Sequence, residues 1–285
     1  FDRATLALLG EQEELLRRIK ATGTPLIVVC IAGRPLDLRR ASEQADALLM
    51  AWYPGARGGD AVAETILGHN NPAGRLPITI PRAEGQIPVY YNKKRPANHD
   101  YTDLTAAPLY PFGYGLSYTR FEYSDLTLSS DSFPGRIDVS VKISNTGKVA
   151  GKEVVQLYLT APAVLQDKPE RELKGFAKTR LLAPGESQVL TFTLDPRSLC
   201  SFRSGISSWV AEAGRYEVKI GASSQDIRQR ASFTLGKELV VEKLHDVLAP
   251  NVPIKDMGTT SAKVLGTDQP FDHYHELDYK FNWHW

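Results

Sequence analysis

The sequence predicts two architectures in succession: a partial three-layer α/β/α sandwich with a mainly parallel sheet, then an antiparallel β-sandwich. Three observations predict it. Helical and strand patterns alternate over roughly the first 70 residues. Their strands are unbroken apolar runs, as in sheets covered on both faces. After Phe121 the pattern changes to short strands of period two, separated by turn signals with no helix between them.

The elements follow in order. Leu15, Leu16 and Ile19 repeat at helical spacing within Glu11 to Lys20, which predicts an amphipathic helix. Thr22, Gly23 and Thr24 end it, and Pro25 leads into the apolar run Leu26 to Ile31, expected as a strand buried on both faces. A polar helix is predicted over Asp37 to Gln44, then a second apolar run from Ala45 to Trp52. The turn Tyr53-Pro54-Gly55 precedes a helix carrying Val62, Ala63, Ile66 and Leu67, with Gly68 as its C-terminal cap. In the second half, Ile137, Val139, Val141 and Ile143 alternate with polar residues and predict a half-buried strand ending at the Asn145-Thr146-Gly147 turn. Val154 to Leu159, Leu173 to Thr179, Val189 to Leu194, Ser207 to Glu212 and Tyr216 to Ile220 supply the other strands. This spacing predicts a sandwich of the immunoglobulin or fibronectin type III sort. A helix is expected over Lys237 to Leu248, before a tail ending in aromatics. The expected divisions are 1–120, 121–236 and 237–285.

Composition excludes several classes. A 285-residue chain with 42% hydrophobic and 24% charged residues is ordinary globular material. The formal net charge of +1 leaves no footprint for nucleic acid. No apolar run reaches the roughly 20 residues needed to span a bilayer. Cys30 and Cys200 give no disulfide framework, and Cys30 is expected to be a small buried hydrophobe.

Motifs carry the functional expectation. Ile31-Ala32-Gly33-Arg34-Pro35-Leu36 follows the first strand, and Ala51-Trp52-Tyr53-Pro54-Gly55 with Gly58 and Gly59 follows the second. Gly68-His69-Asn70-Asn71-Pro72-Ala73-Gly74-Arg75-Leu76-Pro77, Gly85-Gln86-Ile87-Pro88-Val89-Tyr90-Tyr91-Asn92 and Leu109-Tyr110-Pro111-Phe112-Gly113-Tyr114-Gly115-Leu116-Ser117-Tyr118-Thr119 come next. In this order the set resembles the C-terminal α/β sandwich domain of family 3 glycoside hydrolases of the β-glucosidase type. Val139 to Ile220, with Leu173-Lys174-Gly175-Phe176 and Leu182-Ala183-Pro184-Gly185-Glu186, resembles the fibronectin type III-like domain that follows it. The resemblance runs from about Asp2 to Leu235.

The resemblance implies a retaining exo-β-glycosidase that removes terminal β-linked sugars from an oligosaccharide or glycoside. Glucose is the usual sugar, and xylosidase and arabinosidase relatives share the motifs. It also implies a partner within the same enzyme, an N-terminal (β/α)8 barrel carrying an aspartate nucleophile. The general acid/base of the family lies a few residues before the Asp-Arg that corresponds to Asp2-Arg3. Retaining hydrolysis needs two carboxylates about 5–5.5 Å apart, and by this resemblance neither lies in this chain, which alone is expected to be inactive. Asp2 and Arg3 are then the substrate-binding candidates, at the edge of the cleft. Arg3 either holds the acid/base loop through a carboxylate or forms an ordinary surface ion pair. No cofactor is required, since the chemistry uses carboxylates and water. The competing function is a non-catalytic carbohydrate-binding or scaffolding protein of the same two domains.

Other candidates have plainer readings. Asp60 and Glu64 lie four apart on one helix face, expected as a charged first turn and a solvated acid rather than a catalytic pair. Glu84, Asp100 and Asp103 are expected to be surface charges. Gly55, Gly58 and Gly59 are expected to form a tight turn rather than an anion cradle. Trp52 and Tyr53, which suggest sugar stacking, are expected in the core because they end a buried strand. Tyr110, Phe112, Tyr114 and Tyr118 are expected to clamp the seam between the two halves. His273 and His275 suggest a metal site only if a third ligand converges on them, and none is in view.

Overall fold

A computed structural model describes residues 3–94 and 100–245. Residues 244–285 separate from the rest as a second unit, of which only Leu244 and His245 are described. The expected helix from Lys237 therefore lies partly outside the described residues, as do Asp2, His273, His275 and the aromatic end.

The first half alternates as its sequence predicts: α1 (Gln12–Ala21), β1 (Ile27–Cys30), α2 (Arg39–Gln44), β2 (Ala47–Met50) and α3 (Gly58–Ile66). β1 and β2 are parallel, with Val28 opposite Leu48. Gly68 follows the α3 cap residue at φ +76°, a backbone conformation open to glycine at little cost. One expectation fails. β1 is not buried on both faces: Cys30 is its one buried residue and Ile27 is 47% exposed. The reason is that β1 and β2 form a two-stranded sheet among the described residues, and α1 buries no side chain against it. Two strands cannot cover their own faces.

The second half is a sandwich with one core. β3 (Phe121–Leu128), β4 (Ile137–Asn145), β5 (Val154–Thr160), β6 (Glu172–Lys178) and β7 (Ser187–Leu194) come first. After the short helix α4 (Pro196–Leu199) come β8 (Ser201–Arg203), β9 (Ser208–Ala211), β10 (Gly214–Gly221), β11 (Ile227–Leu235) and β12 (Leu239–Lys243). One sheet runs β11-β10-β5-β6 and a second β3-β4-β7, all antiparallel. A small third sheet runs β12-β9-β8. Every second residue of β4 is buried, as the alternation requires. Val139, Val141, Leu157, Val218, Ile220 and Phe233 from the two larger sheets share a single core cluster. β12 replaces the helix expected from Lys237, because Leu239 and Val240 pair with Ala211 and Val210 at the free edge of β9.

The halves are joined through Tyr91, whose ring meets Tyr158 edge-on at 6.0 Å and whose hydroxyl accepts from the Leu173 N–H, while the aromatic side chains expected at the seam contact residues of their own half. Tyr110 and Tyr114 stack at 5.1 Å, and Phe112 stacks on Tyr91 at 4.3 Å. The Tyr118 hydroxyl donates to the Thr65 carbonyl at 2.7 Å. Gly113 and Gly115 serve close approach: a Cβ on the first would strike the Gln156 side chain, and on the second the Gly74 carbonyl. Beneath them Arg75 meets Glu153 at 2.6 Å, with both side chains more than nine-tenths buried.

Candidate active-site edge

In an open parallel sheet the loops beyond the carboxyl ends of the strands are where ligands bind. Here those loops carry Gly33 and Arg34 after β1, and Trp52 and Tyr53 after β2. The amino-terminal segment Arg3 to Leu6 lies against the first of them. The Arg34 guanidinium donates to the Arg3 carbonyl at 3.0 Å and to the Thr5 carbonyl at 2.6 Å. From the other side the Glu84 carboxylate accepts from the Thr5 hydroxyl, and from the Leu6 N–H at 2.5 Å. The Leu6 carbonyl accepts from the Asp37 N–H at 2.8 Å, and the Leu6 side chain is buried. The segment is therefore held at four backbone groups by two loops, the one after β1 with Arg34 and Asp37 and the turn that carries Glu84.

The electrostatics of this clamp are consistent with ionised partners. The Thr5 hydroxyl, and after it the Leu6 N–H, hold the Glu84 carboxyl below the usual carboxylate range. Burial opposes ionisation of Asp37, but hydrogen bonds from Arg39 outweigh it and hold that carboxyl low as well. Leu6, Arg34, Pro35, Ile87 and Tyr90 line a hollow of about 430 Å³ beside the clamp.

Of the predicted cleft residues, Arg3 is described and Asp2 is not. Arg3 makes no ion pair among the described residues; its guanidinium donates to the Ala7 carbonyl at 3.1 Å. Glu84 is the exposed charge that the sequence predicts, and its carboxylate also fastens a segment 78 residues away in sequence. Asp100 likewise folds its own loop, accepting from the Ala106 N–H at 2.6 Å, whereas Asp103 is exposed. Asp60 pairs with Arg57 at 2.5 Å in the first turn of α3, and Glu64 is exposed. Gly55, at φ +73°, makes the tight turn, with the Gly58 N–H donating to its carbonyl at 3.1 Å.

Tyr53 overturns the core reading: it is 79% exposed. Trp52, half-buried, has φ +53°, a conformation that costs a non-glycine residue. Gly33 has no side chain where a Cβ would collide with the Tyr53 ring. The turn thus lays that ring against the Gly33 backbone instead of inserting it between layers. The described residues contain no group of three potential metal ligands and no helix long and apolar enough to cross a membrane.

Comparison with known proteins bears on the family of both halves. Residues 1–118 match the glycosyl hydrolase family 3 C-terminal domain and residues 153–224 the fibronectin type III-like domain. A periplasmic beta-glucosidase of Salmonella typhimurium is 42% identical over 246 residues, covering 82% of this chain and 32% of that protein. A putative beta-xylosidase of Formosa agariphila is 45% identical over 240 residues, 83% of this chain and 31% of its own length. Among solved structures, beta-glucosidase 3B from Thermotoga neapolitana in complex with alpha-D-glucose superposes with a TM-score of 0.74 at 37% identity, over 84% of this chain and 36% of that one. The chain spans about a third of the length of the relatives it matches. With the motif order, the parallel pair and the sandwich all in agreement, the chain belongs to glycoside hydrolase family 3, of which it carries the C-terminal and fibronectin type III-like domains.

Proposed function

We propose that the chain is the C-terminal part of a retaining exo-β-glycosidase that removes terminal β-linked sugars, glucose in the first instance, from oligosaccharides or glycosides. The nucleophile and the acid/base lie outside these residues, on a (β/α)8 barrel and on the loop that leads into Asp2. Asp2 and Arg3 stand at the edge of the cleft, and the chain alone does not hydrolyse glycosides. The α/β part ends near residue 120, and the sandwich runs past the expected end at 236 to take in β12 (Leu239–Lys243).

The observation that carries this reading is the clamp of Arg34 and Glu84 on Arg3 to Leu6. A proton donor must stand within hydrogen-bond reach of the leaving oxygen. A segment fastened at four backbone groups is what a loop carrying such a donor needs at its base. The exposed apolar faces of α1 and β1 support the same reading, since they are surfaces that further layers of a larger protein cover.

Co-production with a (β/α)8 barrel that bears the family nucleophile tests it. The pair is expected to hydrolyse p-nitrophenyl β-glucoside or β-xyloside with retention of anomeric configuration. Inverted product, or a barrel that gains nothing from this chain but does from another family member's C-terminal domains, contradicts it.

A further inference from the structure

A second hollow, of about 300 Å³, opens where the loop after Ile87-Pro88 meets the sandwich. Its aromatic wall is Tyr90, Tyr91 and Phe112. Tyr91 is fixed: its ring stacks on Phe112 and its hydroxyl accepts from the Leu173 N–H at 3.1 Å. Tyr90 is 68% exposed and leaves ring surface open to solvent. The opposite wall comes from the sandwich. Arg171 is held by Glu170 at 2.7 Å and by the Ser224 carbonyl, and the exposed Gln225 adds an amide. Lys93 and Lys94 complete the rim, and the bridge between Lys94 and Pro169 ties it to the Glu170 loop. Among the described residues, Lys93, Lys94 and Arg171 line the hollow with one carboxylate, Glu170, which Arg171 pairs.

We propose that this hollow binds a sugar residue that carries a carboxylate, a uronic acid within an oligosaccharide. The flat apolar face of a pyranose packs on the Tyr90 ring. The exposed amide of Gln225 supplies hydrogen-bond partners for ring hydroxyls. The excess of cations selects the carboxylate, through charge-assisted hydrogen bonds that are stronger than neutral ones. The carbohydrate class of the ligand rests on the glycosidase reading; the preference for a carboxylate rests on the charges lining the hollow.

Titration calorimetry on the 285-residue chain tests this without any catalysis, so its failure leaves the glycosidase reading standing. The probes are a xylo-oligosaccharide with one glucuronic acid branch, the unbranched oligosaccharide of equal length, and adenosine monophosphate. The acidic probe is expected to bind saturably, about tenfold tighter than the neutral one at low salt, with the margin shrinking as salt is raised. Tyr90→Ala is expected to weaken both sugars, and Lys94→Gln only the acidic one. Both side chains are exposed, so an unchanged thermal midpoint confirms that each variant is folded. Equal affinity for the two sugars, no saturable binding, tighter binding of the nucleotide, or indifference to both substitutions overturns the proposal.

Discussion

The Arg34 guanidinium donates to the Thr5 carbonyl at 2.6 Å across 29 residues of sequence. With its second bond, to the Arg3 carbonyl, it fixes the backbone on which the proposed cleft edge stands. Hydrogen bonds from a charged donor each contribute about 1.5–3 kcal/mol. Arg34→Ala is therefore expected to speed amide exchange at Leu6 by roughly tenfold or more, with the sandwich amides unchanged. Exchange mass spectrometry reads both regions at once, and equal rates in wild type and variant would show that the clamp bears no load.

Glu84 makes the same clamp sensitive to pH. Its carboxyl is held below the ordinary range by the Thr5 hydroxyl and the Leu6 N–H. An acid depressed in the folded state contributes its stability above the unfolded value and loses it as pH falls through the folded one. The amino-terminal segment is thus expected to be fully held at neutral pH and to loosen below about pH 4.3, the ordinary glutamate value. Protease accessibility of residues 3–6 between pH 3 and 7 checks this, with Glu84→Gln loose and pH-independent throughout.

Arg75 and Glu153 are expected to dominate the stability of the seam. They meet at 2.6 Å with side chains 7% and 5% exposed. Removing one partner of a buried pair leaves an uncompensated charge, which costs about 3–5 kcal/mol. Glu153→Ala should lower the urea midpoint accordingly, while the double change Arg75→Met with Glu153→Leu should recover most of the loss. A single variant within 1 kcal/mol of wild type, roughly the size of a neutral hydrogen bond, contradicts the assignment.

Gly33 and Tyr53 are expected to be coupled. Tyr53→Ala should change stability by no more than about 0.5 kcal/mol, because the ring is exposed. Gly33→Ala should cost more, since its Cβ meets that ring. In the Tyr53→Ala background the Gly33→Ala penalty should largely vanish, a coupling that a double-mutant cycle measures directly.

What the sequence made legible follows from where the information lay. β4 was readable because Ile137, Val139, Val141 and Ile143 alternate without a fault. β11 was not, because its inward face includes Gln229, whose amide donates to the Tyr123 carbonyl at 2.7 Å, and the alternation breaks there. β12 read as a helix because its charges surround a short apolar run; the decisive fact, the free edge of β9, is tertiary. At the site, motif order alone pointed to Arg3. Arg34 lies in the motif after β1 and Glu84 in a loop, and neither shows its clamping role locally because their partners are remote in sequence. Tyr53 was misplaced because a strand end usually leads into the core, and nothing local announces that Gly33 leaves room for its ring.

The central claim is that the carboxylates of the reaction lie outside these 285 residues. The most direct measurement is hydrolysis of p-nitrophenyl β-glucoside and β-xyloside by the purified chain, with its intact mass confirmed near 31.5 kDa. The account predicts a rate equal to that of buffer. Hydrolysis that persists through repurification of that single species contradicts it, and places the catalytic acids among the chain's own Asp and Glu residues.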